Sequence, residues 1–125
     1  MTALTGRYPY EAAVTAYGNG GFRFADMSHK GSILCLPSGV HAWAPQRVDE
    51  LTIGDFAQVF SGLEPPAVLL IGTGATHIFM GAEITRAFAE AGIGLEAMTT
   101  GAAARTYNIM LAERRRIGAA LIVVT

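Results

Sequence analysis

The sequence predicts an α/β fold in which an N-terminal antiparallel β element precedes a mostly parallel central sheet with helices on its faces. Two patterns carry this prediction. Residues 51–125 alternate continuous apolar runs of strand length with stripes of helical spacing, an αβαβαβ order that favours parallel strands. Residues 1–50 contain short alternating strands separated by glycine turns. The chain has 125 residues, the length of one ordinary domain, and we expect a single domain over 1–125.

The N-terminal β element begins with a predicted hairpin. Strands predicted at 14–17 and 22–24 flank a turn, residues 18–21, that contains three glycines. Two further short strands, at 32–36 and 40–43, complete a small meander.

The C-terminal part begins with a helix capped by Thr52, because Asp55 stands three residues later. The pair Pro65-Pro66 is expected to form a stiff hinge within the domain. The elements predicted after it are a strand at 67–71, a helix with its apolar stripe from Ile84 to Ala91 and a C-cap at Gly92, a strand at 93–98, a helix at 101–116 and a strand at 119–124.

Composition limits the classes of function. Apolar residues make up 51% of the chain and charged residues 15%, so we expect some apolar surface to meet a partner. The net charge of -1 argues against nucleic-acid binding. Neither a secretory signal nor an apolar stretch of the ~18 residues needed to span a membrane is found. The single cysteine, Cys35, favours a reducing compartment, and we expect a soluble, cytoplasmic protein.

A candidate pocket lies at the carboxyl ends of the predicted parallel strands. The turn Gly72-Thr-Gly74 follows a buried strand, where phosphate-binding turns occur, but His77 stands in place of the third glycine of a dinucleotide fingerprint. A structural turn is the favoured interpretation. Glu96 is expected in a strand covered on both faces, where a carboxylate needs a partner or a polar pocket. The residues of this candidate pocket are Gly72, Thr73, Gly74, His77, Glu96 and Thr100.

No metal site or cofactor is predicted. The histidines at 29, 41 and 77 fall on separate elements and show no ligand spacing. Cys35 lies within an apolar strand, where a thiol is expected to be buried and inert. No nucleophile with a base and an orienting group can be assembled from the sequence.

The helix predicted at 101–116 carries polar residues on two faces. Steps of 100° per residue place Thr106 and Glu113 together inside the apolar arc, where we expect a buried polar pair. Asn108 and Arg115 fall together on the outer face, available to a partner or to a neighbouring loop. The basic run Arg114-Arg-Arg116 is interpreted as cations at the negative end of the helix dipole.

Several of these residues also carry a family resemblance. They are Tyr17-Gly-x-x-Gly21-Phe22, Gly31-Ser32, Trp43, Gly72-Thr-Gly74, Gly92-Ile93-x-x-Glu96, Thr100-x-x-Ala103-x-x-Thr106-Tyr107-Asn108, Glu113-x-Arg115 and Ala119-Ala-Leu-Ile122. The chain resembles, from about Tyr17 onward, the small-domain family that includes mitochondrial complex I assembly factor three and uncharacterised bacterial and archaeal proteins. The resemblance implies a three-layer fold with a mixed sheet in which one strand runs antiparallel. It implies no established catalytic residue.

Two functions stay open at this point. The first is a non-catalytic binding or assembly protein, whose partners would by resemblance be subunits of complex I or of another membrane complex, with the eukaryotic relatives on the mitochondrial matrix side. The second is a small-ligand or enzymatic domain with its site at the carboxyl ends of the parallel strands. Association with further copies of the chain is compatible with either function.

Overall fold

The structure, a computed structural model, describes residues 2–3 and 7–125. Residues 1 and 4–6, part of the N-terminal segment considered above for a secretory signal, lie outside the described residues. The strands are β1 (Thr2–Ala3), β2 (Arg7–Tyr8), β3 (Val14–Gly18), β4 (Gly21–Phe24), β5 (Met27–Lys30), β6 (Ser32–Leu36), β7 (Gly39–Trp43), β8 (Val68–Gly72), β9 (Gly94–Met98) and β10 (Ile117–Leu121). The helices are α1 (Ala57–Ser61), α2 (Ala82–Ala91) and α3 (Thr100–Ala112), with 3₁₀ turns at Val48–Glu50 and Ile53–Phe56.

The central sheet has six strands in the order β2-β7-β6-β10-β8-β9. Strands β9, β8 and β10 are parallel to one another, as the apolar runs indicated, and β10 pairs antiparallel with β6. The pairs β6–β7 and β7–β2 are also antiparallel. The three-layer α/β fold with a mixed sheet is confirmed. Within this sheet, parallel pairing is confined to the three C-terminal strands, so the antiparallel share is larger than expected.

A second sheet of four strands, in the order β1-β5-β4-β3, forms from the N-terminal part of the chain. The hairpin of β3 and β4 is confirmed, with Phe22 and Phe24 buried and Arg23 exposed between them. Strand β5 was not predicted from the sequence. The predicted meander is therefore divided, because β6 and β7 belong to the central sheet.

Apolar side chains fill both faces of the central sheet. On one face, α3 and the four-stranded sheet enclose a cluster that includes Phe24, Cys35 and Tyr107. On the other face, α1 and α2 enclose a cluster that includes Trp43, Phe56 and Phe88. Burial of these aromatic side chains supplies a large part of the stabilising free energy of such a layered fold.

Local signals set the ends of the elements on this second face. The backbone N–H of Thr52 donates to the Asp55 carboxylate at 2.8 Å, and a 3₁₀ turn leads from there into α1. Gly92 ends α2 in the left-handed conformation, with φ of 72°, as its position predicted. Strand β9 follows at once and is one of the two edge strands of the sheet, with β2 at the other edge.

Candidate functional site

The turn after β8 is held by the hydroxyl of Thr73, a buried residue with 4% exposure. This hydroxyl donates to the carbonyl oxygen of Thr76 at 2.6 Å, lies 3.1 Å from that of Met98, and accepts from the backbone N–H of Ile78 at 3.2 Å. The backbone N–H of Thr73 also donates to Met98, at 2.8 Å. Thr73 therefore bonds both to Thr76 and Ile78 within the loop and to Met98 at the end of β9.

Thr100, fully buried at the start of α3, anchors the same turn from the other side. Its hydroxyl donates to the carbonyl oxygen of Ile122 at 2.7 Å and accepts from the backbone N–H of Gly74 at 2.9 Å. Its own N–H donates to the carbonyl oxygen of Gly74 at 2.9 Å. The turn, the helix α3 and the end of β10 are therefore tied together at one point.

Two positions of this turn require glycine, each for a different reason. A Cβ at Gly72 would lie 2.8 Å from the Cα of Thr100, closer than packed atoms allow. Gly74 has a φ of 98°, in the region that favours glycine. Gly72, Thr73, Gly74 and Thr100 do come together, as predicted, but their polar groups hold the structure of the turn.

The other two residues of the candidate pocket lie apart from this turn's buried network. His77 is exposed, and its ring packs against that of Phe79 with 4.7 Å between centroids. Glu96 is exposed on β9, which is an edge strand of the sheet, so the expectation of a covered carboxylate that needs a partner or a polar pocket is wrong.

The expected buried pair of Thr106 and Glu113 is not formed. Helix α3 ends at Ala112, and Arg114 has a φ of 59°, so a helical projection does not extend to position 113. Thr106 is half-buried, whereas Glu113 is exposed and lies 3.7 Å from the exposed guanidinium of Arg115. The basic run 114–116 likewise follows the helix and is not part of it.

Asn108 does not face solvent as expected, because the four-stranded sheet covers its side of α3. Its amide accepts from the backbone N–H of Val14 and donates to the carbonyl oxygen of the same residue, both at 2.8 Å. This pair of bonds fastens β3 to the helix. Arg115 is exposed, as predicted, but it does not share a face with Asn108.

Three buried titratable groups lie elsewhere in the fold. Burial raises the pKa of Cys35 to about 12, which keeps the thiol protonated. Burial, followed by the proximity of Cys35 and Glu11, raises the pKa of Tyr107, whose hydroxyl has no hydrogen-bond partner among the described residues. His41 is 7% exposed, and burial, then Arg7, lowers its pKa. Its Nε2 lies 3.0 Å from the Ser38 hydroxyl.

The loop that follows the turn exposes apolar side chains that sequence reasoning did not single out. Ile78 is 42% exposed and Phe79 is 83% exposed. Beside them lies an open groove of about 480 Å³. The apolar run 78–80, between two predicted elements, was the available signal for this surface. The sequence alone does not show whether such a run is exposed or buried in the core.

Two classes of structure are not found in residues 2–3 and 7–125. These residues contain no group of three or more His, Cys, Asp or Glu side chains placed to hold a metal ion. Within the same ranges, every helix is too short or too polar to cross a lipid bilayer.

The chain is similar over most of its length to proteins of several organisms. An uncharacterised protein of Rhodobacter capsulatus is 32% identical over 87% of this chain and 82% of its own. The mouse NADH dehydrogenase [ubiquinone] 1 alpha subcomplex assembly factor 3 is 28% identical over 98% of this chain. This chain spans 66% of the mouse factor and 59% of its human counterpart.

Solved structures share the fold. A Bartonella henselae protein described as an outer membrane protein is 43% identical, with a TM-score of 0.90 over 94% of this chain and 99% of its own. A Bordetella pertussis protein described as an Mth938-like domain is 32% identical, with a TM-score of 0.78 over 98% of this chain and 92% of its own. A family model described as a protein of unknown function, DUF498/DUF598, matches residues 14–122. This chain therefore belongs to the DUF498/DUF598 family.

Proposed function

We propose that the chain is a non-catalytic protein-binding domain that acts in the assembly of NADH dehydrogenase or of another membrane complex. Its similarity to assembly factors of mouse, rat, zebrafish, cattle and human, each 28–30% identical, supports the class of function. We also propose that a bacterial member of the family lies in the cytoplasm. Fractionation of cells into cytoplasm and membranes tests this location.

The observation that carries the proposal is the exposure of Phe79 and Ile78 at the tip of an anchored loop. An aromatic side chain that is 83% exposed leaves most of its apolar surface in water. Complete burial of such a side chain is favourable by about 1.5–3 kcal/mol. Contact with a partner would recover this free energy, and aromatic residues often dominate protein interfaces for that reason.

The base of the loop makes this surface suited to binding. The hydroxyls of Thr73 and Thr100 hold the start of the loop in one conformation before any partner arrives. Less conformational freedom is then lost on association. The same bonds weaken the alternative of a small-ligand or enzymatic site here, because these two hydroxyls already bond to backbone groups of the fold.

The test is genetic complementation in the source organism. Cells lacking the gene would receive the wild type, Phe79→Asp or the matched control Leu63→Asp, which adds the same charge at a loop residue that is 103% exposed. Assembled NADH dehydrogenase is measured on native gels, together with the NADH oxidation rate of membranes. We expect the wild type and the control to restore assembly and Phe79→Asp to fail.

Normal assembly of NADH dehydrogenase and of the other respiratory complexes in the deletion strain would contradict the assembly role. Full complementation by Phe79→Asp, at wild-type protein levels, would contradict the role of the loop tip.

A further inference from the structure

The groove beside Phe79 has walls from two parts of the chain. One wall comes from the segment 48–53 and the other from the loop residues 78–80 and the start of α2. Its apolar lining residues are Val48, Leu51, Ile53, Ile78, Phe79, Met80 and Ile84. The groove opens to solvent beside the exposed Phe79 ring.

The rim of this groove is acidic. Asp49 and Glu83 line it from opposite walls, and no basic residue in the described part of the chain lines it. Arg47 forms an ion pair with Asp49 at 2.9 Å, whereas Glu83 forms no ion pair with a described residue. Acidic groups therefore outnumber basic groups around the apolar surface, which favours contact with positive charge.

The shape of the surface restricts the kind of occupant. A small-molecule site encloses most of its ligand, but Phe79 projects from this groove with 83% of its surface exposed. A strand cannot be added here, because the walls are 3₁₀ turns, a loop and the start of a helix, none of which offers a free strand edge. An amphipathic helix that inserts its apolar side chains into a groove fits these conditions.

We propose that this groove binds an amphipathic helix of a partner protein, with its apolar face against Phe79 and with lysine or arginine residues beside Asp49 and Glu83. The inference rests on the proposed protein-binding function and specifies its partner.

The test uses the whole chain and two synthetic peptides of about 15 residues, long enough to form a helix on binding. Both carry leucines at helical spacing. One has lysines at the remaining positions and the other has glutamates. Affinities are measured by fluorescence anisotropy, and the bound region is mapped from chemical-shift changes of backbone amides. We expect the lysine peptide to bind about tenfold or more tightly than the glutamate peptide, with shifts around the groove.

Two sets of variants separate the apolar and charged contributions. Phe79→Asp should weaken binding of the lysine peptide about tenfold or more, since the apolar contact is lost. Asp49→Asn combined with Glu83→Gln should reduce the preference for lysine to about twofold, since the apolar walls remain. Leu63→Asp, outside the groove lining, should behave as the wild type.

Equal affinity for the two peptides, or no binding of the lysine peptide, would overturn the inference. So would a homodimer or a co-purified small molecule that is present in the wild type and lost in Phe79→Asp, because the groove would then have a different occupant. If Phe79→Asp abolishes complex assembly while the wild type binds the two peptides with equal affinity, the proposed function stands and this inference fails. If the lysine peptide binds as expected but Phe79→Asp supports assembly, the proposed function fails instead.

Discussion

The base and the tip of the loop after β8 lie a few residues apart in the sequence but differ in burial and in hydrogen bonding. At the base, Thr73 and Gly74 are buried, and their polar groups bond to Met98 at the end of β9 and to Thr100 at the start of α3. At the tip, His77, Ile78 and Phe79 are exposed beside an apolar groove.

This difference shows how an apolar residue can stay exposed in a folded protein. An unrestrained loop could fold its apolar side chains back onto the core, because burial is favourable. Here the hydrogen bonds of Thr73 fix the path of the chain as far as Ile78. Substitutions at the base should therefore change the free energy of unfolding, and substitutions at the tip should change binding.

The largest effect on stability is expected from Thr100→Val at the base. Valine has a similar shape but removes the hydroxyl, which leaves the N–H of Gly74 and the carbonyl of Ile122 without this partner. Each unsatisfied buried group costs about 1–3 kcal/mol, so we expect the loss of both bonds to lower the free energy of unfolding by about 2–6 kcal/mol. Urea denaturation measures the change. Thr85→Val, at an exposed position on α2, is the matched control.

A smaller but distinct loss is expected from Asn108→Ala, which extends the comparison to the other anchored region, strand β3. The change removes both hydrogen bonds to Val14 at a partly buried position, and we expect a loss of about 1–3 kcal/mol. Glu113→Ala, at an exposed residue just beyond α3, should stay within about 0.5 kcal/mol of the wild type. Equal unfolding midpoints for the two variants would show that the hydrogen bonds between Asn108 and Val14 do not stabilise the fold.

His41 adds a buried polar group that titrates. Its folded-state pKa is lowered, so below its unfolded pKa of about 6.5 the unfolded chain binds more protons than the folded one. The contribution of His41 to the free energy of unfolding is therefore complete above the unfolded pKa, and it is lost as the pH falls below that value. Thermal unfolding between about pH 7.5 and 5.5 should show a steeper decline for the wild type than for His41→Gln. Parallel curves would contradict the assignment to His41.

The smallest effect on stability is expected at the tip. Phe79→Ser removes a side chain that is mostly in water, and the free energy of unfolding should change by less than about 0.5 kcal/mol. Urea denaturation, with Thr100→Val measured alongside, checks this prediction. A loss as large as that of Thr100→Val would show that Phe79 belongs to the core.

The sequence predicted the C-terminal elements well because their signals are local. The apolar run before Gly72 became β8, and the helical stripe closed by Gly92 became α2. The end of α3 was placed four residues too late, since residues 113–116 contain no glycine or proline to mark the stop. Strand β5 was missed because its sequence, Met27–Lys30, is mostly polar and is defined by pairing with β4.

The candidate site depended on contacts that no local pattern encodes. The sequence did place Gly72, Thr73, Gly74 and Thr100 together, because the carboxyl ends of parallel strands share one edge of a sheet. It could not show that β9 is an edge strand, on which Glu96 is exposed. Nor could it show that the four-stranded sheet covers Asn108, since the side of α3 on which that sheet packs is a tertiary property.

The central claim is that the loop tip, and not the protein surface in general, binds a protein partner. Quantitative affinity capture from native lysate tests it most directly, with the wild type, Phe79→Asp and Leu63→Asp as baits at equal, folded concentrations. We predict that subunits of NADH dehydrogenase or of another membrane complex are recovered with the wild type and with Leu63→Asp, and are depleted about tenfold or more with Phe79→Asp. Equal recovery of these subunits with all three baits, or no recovery of them with the wild type, would contradict the account.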